Sequence, residues 1–267
     1  AVNRYLRTQP EGIAGAWALD SAKIIFGRLA EPVMNRLEYF ANSSKDRALL
    51  KPMAELASRL LTQANISLAA AMHDAESHGF REKAYMAAYN ASNETAYYTA
   101  WGQYYLAMSM DPAPAAKEAT ERKGLLLAAA GALGKWADAT EDNGVNNQAL
   151  LLRGKALAEA GGADNLQKAI ADLTKAQNAK APGWVQYQAR YQVVVAYIRA
   201  ANFSAAQDAL AAMTRWLPEN DVDARASTTM LAYRLAWAEA DTKSGKAKRT
   251  AQAAALGILS GVIQRDP

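Results

Sequence analysis

The sequence predicts an all-α protein whose C-terminal two-thirds is a stack of antiparallel helix hairpins, and three observations predict it. Hydrophobic residues make up 51% of the 267. Alanine supplies much of that share, and it is the best intrinsic helix former because its side chain loses no rotamer freedom in a helix. β-Branched residues are sparse and dispersed, and no stretch alternates apolar with polar as a half-buried strand does. Helix breakers also recur: Gly79, Pro112, Gly144, Pro182 and Pro218 are separated by 33, 32, 38 and 36 residues, a spacing suited to one helix–turn–helix unit.

The first 78 residues do not follow that period. Ala1–Gln9 reads as an extended lead. Asp20 is placed to N-cap a helix running to Leu29. Pro32 opens a second helix ending near Phe40, and Asn42, Ser43 and Ser44 form a turn. Residues 45–76 read as one long helix or two, with Pro52 as kink or opening residue. Met53, Leu56 and Leu60 are spaced to supply its apolar face. This region, 1–78, is read as a helical cap on the open end of an array at 79–267, or as further, degenerate hairpins.

Within 79–267 the residues before the prolines repeat. Tyr97, Ala100, Tyr104 and Ala107 precede Pro112, and Phe203, Ala206, Leu210 and Met213 precede Pro218. Ala255, Leu259 and Val262 precede Pro267, and Ala169, Leu173 and Ala176 precede Pro182. The steps of four and three hold these side chains on one helix face. The small alanine lets a paired helix approach, and the proline ends the unit. Leu151, Gly154 and Leu157 mark a first helix, with Gly154 permitting close packing. Gly161-Gly162 reads as the hairpin turn and Asp164 as the cap of the next helix.

This pattern resembles the tetratricopeptide repeat, over roughly 79–267. It matches well in hairpins at 79–112, 147–182 and 184–218 and poorly at 113–146. The last hairpin, 221–267, has longer helices than the family norm. The resemblance implies a right-handed α-solenoid whose ligands lie on the concave surface formed by first helices. The residues it implies there are Tyr85, Tyr89, Gln148, Leu151, Lys155, Gln188, Tyr191, Val195 and Arg199. That set of aromatic, amide, aliphatic and basic groups suits an extended peptide with carboxylates for Lys155 and Arg199.

Composition narrows the chemistry. With no cysteine, structural disulfides, thiolate zinc sites and Cys nucleophiles are excluded. No Gly-x-Ser-x-Gly elbow and no phosphate-cradling glycine loop occurs. The two histidines, His73 and His78, are five apart and fall about 140° apart on a helix, so they do not form a helical metal pair. The net charge of +4, from 30 basic and 26 acidic residues, is small and dispersed, unlike the concentrated basic face of nucleic-acid binders. The densest basic stretch, Lys243, Lys246, Lys248 and Arg249 around Gly245, reads as a solvated loop entering a helix. No apolar run reaches the length of a membrane span. The Asn-x-Ser/Thr triplets at Asn42, Asn65, Asn90, Asn93 and Asn202 fall largely in predicted helices and are read as chance.

The expected function is therefore a non-catalytic protein- or peptide-binding scaffold, with no cofactor, no metal, no nucleic acid and no membrane span. The oligomeric state is left open. The absent cysteines and the non-Met first residue lean towards an extracytoplasmic location, periplasmic or secreted. Two alternatives stand beside this function. One is a helical carbohydrate-binding protein or glycan-active enzyme, with a cleft holding two carboxylates beside Trp101 or Trp184. The other is an architectural module of a larger chain or oligomer. Seven aromatic residues between Tyr85 and Tyr105 exceed what one hairpin buries, which marks some of them for a surface.

Overall fold

The computed structural model of the chain describes residues 11–40, 43–77, 80–112, 115–139 and 144–263. Ala1–Gln9, Asn42, His78, Gly79 and Pro267, all singled out above, lie outside the described residues. Among the described residues every regular element is a helix, so the protein is all-α. No described helix is long and apolar enough to cross a membrane. The chain divides into two compact units, Ala1–Ala132 and Leu133–Pro267.

Unit 1 contains long helices. α1 (Glu11–Ile24) runs through a π-helical turn (Ile25–Ala30) into α2 (Glu31–Tyr39) without a loop. Pro32 explains the wide turn. It carries no N–H for the preceding carbonyls and its ring would crowd the residue four back, so the ladder opens just before it. Asp20 lies inside α1 and is not the cap the sequence suggests. Ser43 does cap: its Oγ accepts from the Lys45 and Asp46 N–H groups at 3.2 and 3.4 Å, and α3 (Ser44–Ser77) begins there.

α3 is a single helix of 34 residues with exposed Pro52 inside it. Leu50, Ala54, Ala57, Leu61, Ala64 and Leu68, alternating steps of four and three, form its buried seam. The face expected from Met53, Leu56 and Leu60 is instead at the margin of that seam, with Met53 and Leu60 half-buried and Leu56 44% exposed. Alanine causes that error, because half of the true seam carries only a methyl. α4 (Glu82–Ser109) packs along α3 and touches α1, and α5 (Ala116–Ala132) packs on α4. The hairpin expected at 79–112 is thus one continuous helix. No Gly or Pro lies between Glu82 and Trp101, so nothing stops the helix. Its packing joins 82–109 to the N-terminal unit, and the boundary falls after Ala132 rather than after residue 78.

Unit 2 is a succession of paired helices. After a short turn of helix, α6 (Gly134–Ala137), come α7 (Gly144–Ala160) and α8 (Ala163–Lys175), then α9 (Gly183–Arg199) and α10 (Phe203–Trp216), then α11 (Val222–Asp241) and α12 (Gly245–Ile263). Each helix packs on the one before it, and the first helices also touch in series, α7 on α9 and α9 on α11. Gly161 and Gly162 turn α7 into α8 at φ +68° and +89°, values that favour glycine. Gly162 occupies the cap, and Asp164 sits inside the first turn. Asn202 and Asp221 cap α10 and α11 by accepting from Ala205 and Ala224 N–H. Pro182 precedes α9, and Pro218 follows the end of α10.

Close approach defines the first pair. A Cβ on Gly154 would lie 2.6 Å from Leu173 Cγ and 3.2 Å from the Ala169 carbonyl oxygen. Ala169, Leu173 and Ala176 are all fully buried beneath it. Arg153 of α7 donates through Nε and Nη2 to both carboxylate oxygens of buried Asp172 in α8, at 2.7 and 2.8 Å. Gly154→Ala is expected to destabilise unit 2 by about 1–3 kcal/mol through overpacking, despite alanine's better helix propensity. Gly257→Ala, in open space on α12, is expected to stabilise by about 0.5–1 kcal/mol. Denaturant unfolding of both variants checks the opposite signs.

Candidate functional site

The described part of unit 1 holds a groove of about 860 Å³. α1 supplies one wall through Ile13, Ala16 and Trp17, and α3 supplies the floor through Leu68 and Ala71. The α4 wall is Ala84, Ala87, Ala88 and Ala91. Four methyl-bearing positions spaced three, one and three apart leave that side of α4 without bulk. Ile13 and Trp17, one turn apart on α1, stay 56% and 36% exposed although both are large and apolar.

α1 and α4 are tied together at one end of the groove. Lys23 Nζ donates to Glu94 Oε1 at 2.6 Å, across the two helices. That hydrogen bond to Glu94 outweighs burial and holds the Lys23 ammonium above its ordinary value. One turn further, Phe26 of the π-helical turn lies edge-on to Tyr105 at 5.2 Å and parallel to Tyr98 at 6.4 Å. Gly102 lies beside it, where a Cβ would stand 3.0 Å from Ser58 Oγ of α3 and in ordinary contact, 3.5 Å, with Phe26 Cζ. From Lys23 and Phe26 onward the helices are joined, and towards Glu11 and Arg81 they leave the groove between them.

Charged groups rim it. Asp74 and Arg81 pair with each other, both about half exposed. Asp20 sits 3.7 Å from Lys23, which is already taken by Glu94. Glu11 stands at the outer end of α1.

The sequence-predicted residues distribute differently. In unit 1, Tyr85 and Tyr89 stack at 6.3 Å, with Phe80 5.7 Å from Tyr85. Tyr89 is exposed and Tyr85 half-buried, one strip round α4 from the alanine wall. In unit 2, Leu151, Lys155, Tyr191 and Val195 are buried, and Gln148 and Gln188 are half-buried. These residues meet, but inside the protein. Lys155 Nζ donates to Gln188 Oε1 at 3.3 Å, and Arg234 Nη1 of α11 donates to Tyr191 Oη at 3.2 Å. Arg199 Nη1 donates to the Ala158 carbonyl at 2.9 Å and its Nη2 pairs with Glu159. Lys155 and Tyr191 are thus tied to the next first helix, whereas Arg199 stays exposed.

Sequence reasoning passed over Ile13, Trp17, Arg81 and the four alanines. The signal available was Ile13, Trp17 and Ile24, spaced by four and seven, which defines an outward apolar face on α1. It also passed over Arg190, which lies 4.7 Å from the Trp216 ring and donates to Gln177 at 3.2 Å. Among the described residues no three His, Asp or Glu side chains gather as metal ligands. Trp101 is half-buried edge-on to Tyr97 and Tyr105, and Trp184 is exposed. Lys243 pairs with Glu239 at 3.4 Å and Lys248 with Asp241 at 3.0 Å, on exposed surface where α12 begins. Compared with protein-family models, curated proteins and solved structures, the chain matches none of them.

The tyrosines beyond the groove titrate late. Burial pushes the Tyr97 phenol up to about 12. Burial also raises Tyr105 well above the ordinary value, with Glu38 and Glu31 adding to the effect. An unfolded tyrosine ionises near pH ~10. Between pH ~10 and about 12 the folded protein therefore binds more protons at Tyr97 than the unfolded chain does, and stability falls as pH rises. Unit 1 is expected to lose stability progressively across that window. Tyr97→Phe is expected to flatten the decline by one proton's worth, read as the pH dependence of the denaturation midpoint.

Proposed function

We propose that this chain is a non-catalytic protein- or peptide-binding scaffold, that unit 2 is a tetratricopeptide-like right-handed α-solenoid, and that the partner is held in the groove of unit 1. The observation that carries the binding reading is an apolar groove of about 860 Å³ with an exposed tryptophan on its wall. Concave sites lined mainly by apolar groups, with a few polar groups at the rim, are the usual form of binding sites. Exposed tryptophan is enriched among the residues that dominate binding energy. The solenoid reading is supported by the three successive helix pairs and by the serial contacts of their first helices. Of the nine residues expected on a concave face, Leu151, Lys155, Tyr191 and Val195 are buried while Tyr89 and Arg199 are exposed, and the groove of unit 1 offers the more open apolar surface.

The groove can be filled without touching the core, since Ala87 is exposed. Affinity capture with the wild-type chain and with Ala87→Trp, matched for helicity by circular dichroism, tests the reading. Partners that occupy the groove are expected to be depleted roughly tenfold or more by the variant. Equal recovery by both proteins would show that the groove is not the binding site.

A further inference from the structure

The groove carries chemistry that narrows its occupant. Resting on the reading of this groove as a protein-binding site, we propose that it takes a short amphipathic helix with an apolar stripe flanked by Lys or Arg. Length is the first argument. The α4 wall from Arg81 to Ala91 spans about 15 Å at 1.5 Å per residue, which is about three helical turns. Surface relief is the second. Ala84, Ala87, Ala88 and Ala91 project nothing beyond a methyl, so a helix lying on them can approach to the 8–10 Å range of packed helix axes. On the opposite wall Trp17 and Ile13 offer large apolar surface to the same stripe.

Charge is the third argument, and it selects the sign of the partner. Among the described residues Glu11, Asp20, Asp74 and Arg81 are the charged groups that line the groove, and the Lys23–Glu94 pair stands just beyond it, four carboxylates against two bases. The groove is thus negative in a chain whose net charge is +4. Arg81 is matched by Asp74, and Lys23 is held at 2.6 Å by Glu94. Asp20, 69% exposed at its side chain, keeps only the 3.7 Å contact to the occupied Lys23. Among the described residues, the charge least matched therefore lies on the α1 side, at Glu11 and Asp20, where a helix seated on the alanines would present its flank. Complementary rim charges set the preference among partners and speed their approach.

Two fluorescently labelled synthetic helices with the same Leu/Ala stripe, one flanked by Lys and one by Glu, separate the possibilities when titrated against the full chain by polarisation. The Lys peptide is expected to bind about tenfold more tightly at low salt, with the difference shrinking as salt rises. Glu11→Gln with Asp20→Asn is expected to remove most of that preference, and Ala87→Trp to weaken both peptides. Equal binding of the two peptides, lost in Ala87→Trp, overturns the charge selection and leaves the groove reading standing. A preference for the Glu peptide, or binding of neither, overturns the inference, and capture with Ala87→Trp still decides the groove separately. Binding that Ala87→Trp does not alter overturns the inference and the groove reading together. A concentration-dependent dimer of the free chain that Ala87→Trp abolishes would make a second copy the occupant and overturn the inference as well.

Discussion

The contact of Phe26 with Tyr98 and Tyr105 is the constraint on which the groove of unit 1 depends. Phe26 reaches those rings from a π-helical turn, which exists because Pro32 interrupts the ladder a few residues later. An extra residue in the turn rotates α1 about its axis relative to α2. Ile13, Trp17 and Ile24 thereby stay outward while Ala14, Ala18 and Ala22 are buried. The chain gives up regular hydrogen bonding in one turn and gains an aromatic closure between α1 and α4. Because large side chains fill the space on one side of that closure and alanines leave it open on the other, the two helices enclose a groove.

Unit 2 solves a different problem with polar groups. Its helices are short, and much of their buried surface is alanine, so apolar burial per residue is modest. Charged and amide side chains tie neighbouring helices together. Arg153 grips Asp172 with two donors and also reaches Asp138 at 2.8 Å. Asn147, fully buried, accepts from Asn178 at 2.6 Å, and Tyr187 and Ser227 hydroxyls meet at 2.5 Å. Such groups are expensive to leave unpaired inside a protein, so their pairing fixes which helix meets which and in what register.

The legible part of the sequence was that which depends on backbone chemistry. Gly161-Gly162, Pro182 and Pro218 mark real ends of helices in unit 2, and Gly154 sits against Ala169 and Leu173 as its small size implies. Period alone misled where no breaker enforced it. The Tyr97, Ala100 and Tyr104 spacing before Pro112 matched the second helix of a hairpin, yet α4 runs through without a turn. In α3 the same ambiguity displaced the buried face by one strip, from Leu50, Leu61 and Leu68 to Leu56 and its neighbours. Spacing identifies residues that share a face, but burial is decided by a partner helix distant in sequence. The groove was illegible for that reason: it joins residues 11–20 to residues 81–91 through a closure that no local pattern encodes.

Alanine connects these observations. A residue that strongly favours helix and contributes little to packing yields long helices and shallow cores, and stability then requires length of contact rather than depth. The 34 residues of α3 and 28 of α4 meet that requirement by packing along most of their course. Where an alanine face meets a partner, axes draw close, as at Ala57, Ala64 and Ala100, all fully buried. Where it meets none, as at Ala84 and Ala87, the helix is still formed and still straight enough to wall a groove. Propensity holds that stretch of α4 helical without needing a covering partner, so the groove can stand open and keep its shape. An equally apolar face of leucines would close on itself or on a second copy, whereas methyl groups expose too little area to drive that collapse. The composition that makes the fold readable as all-α is therefore also what leaves room in it for another molecule.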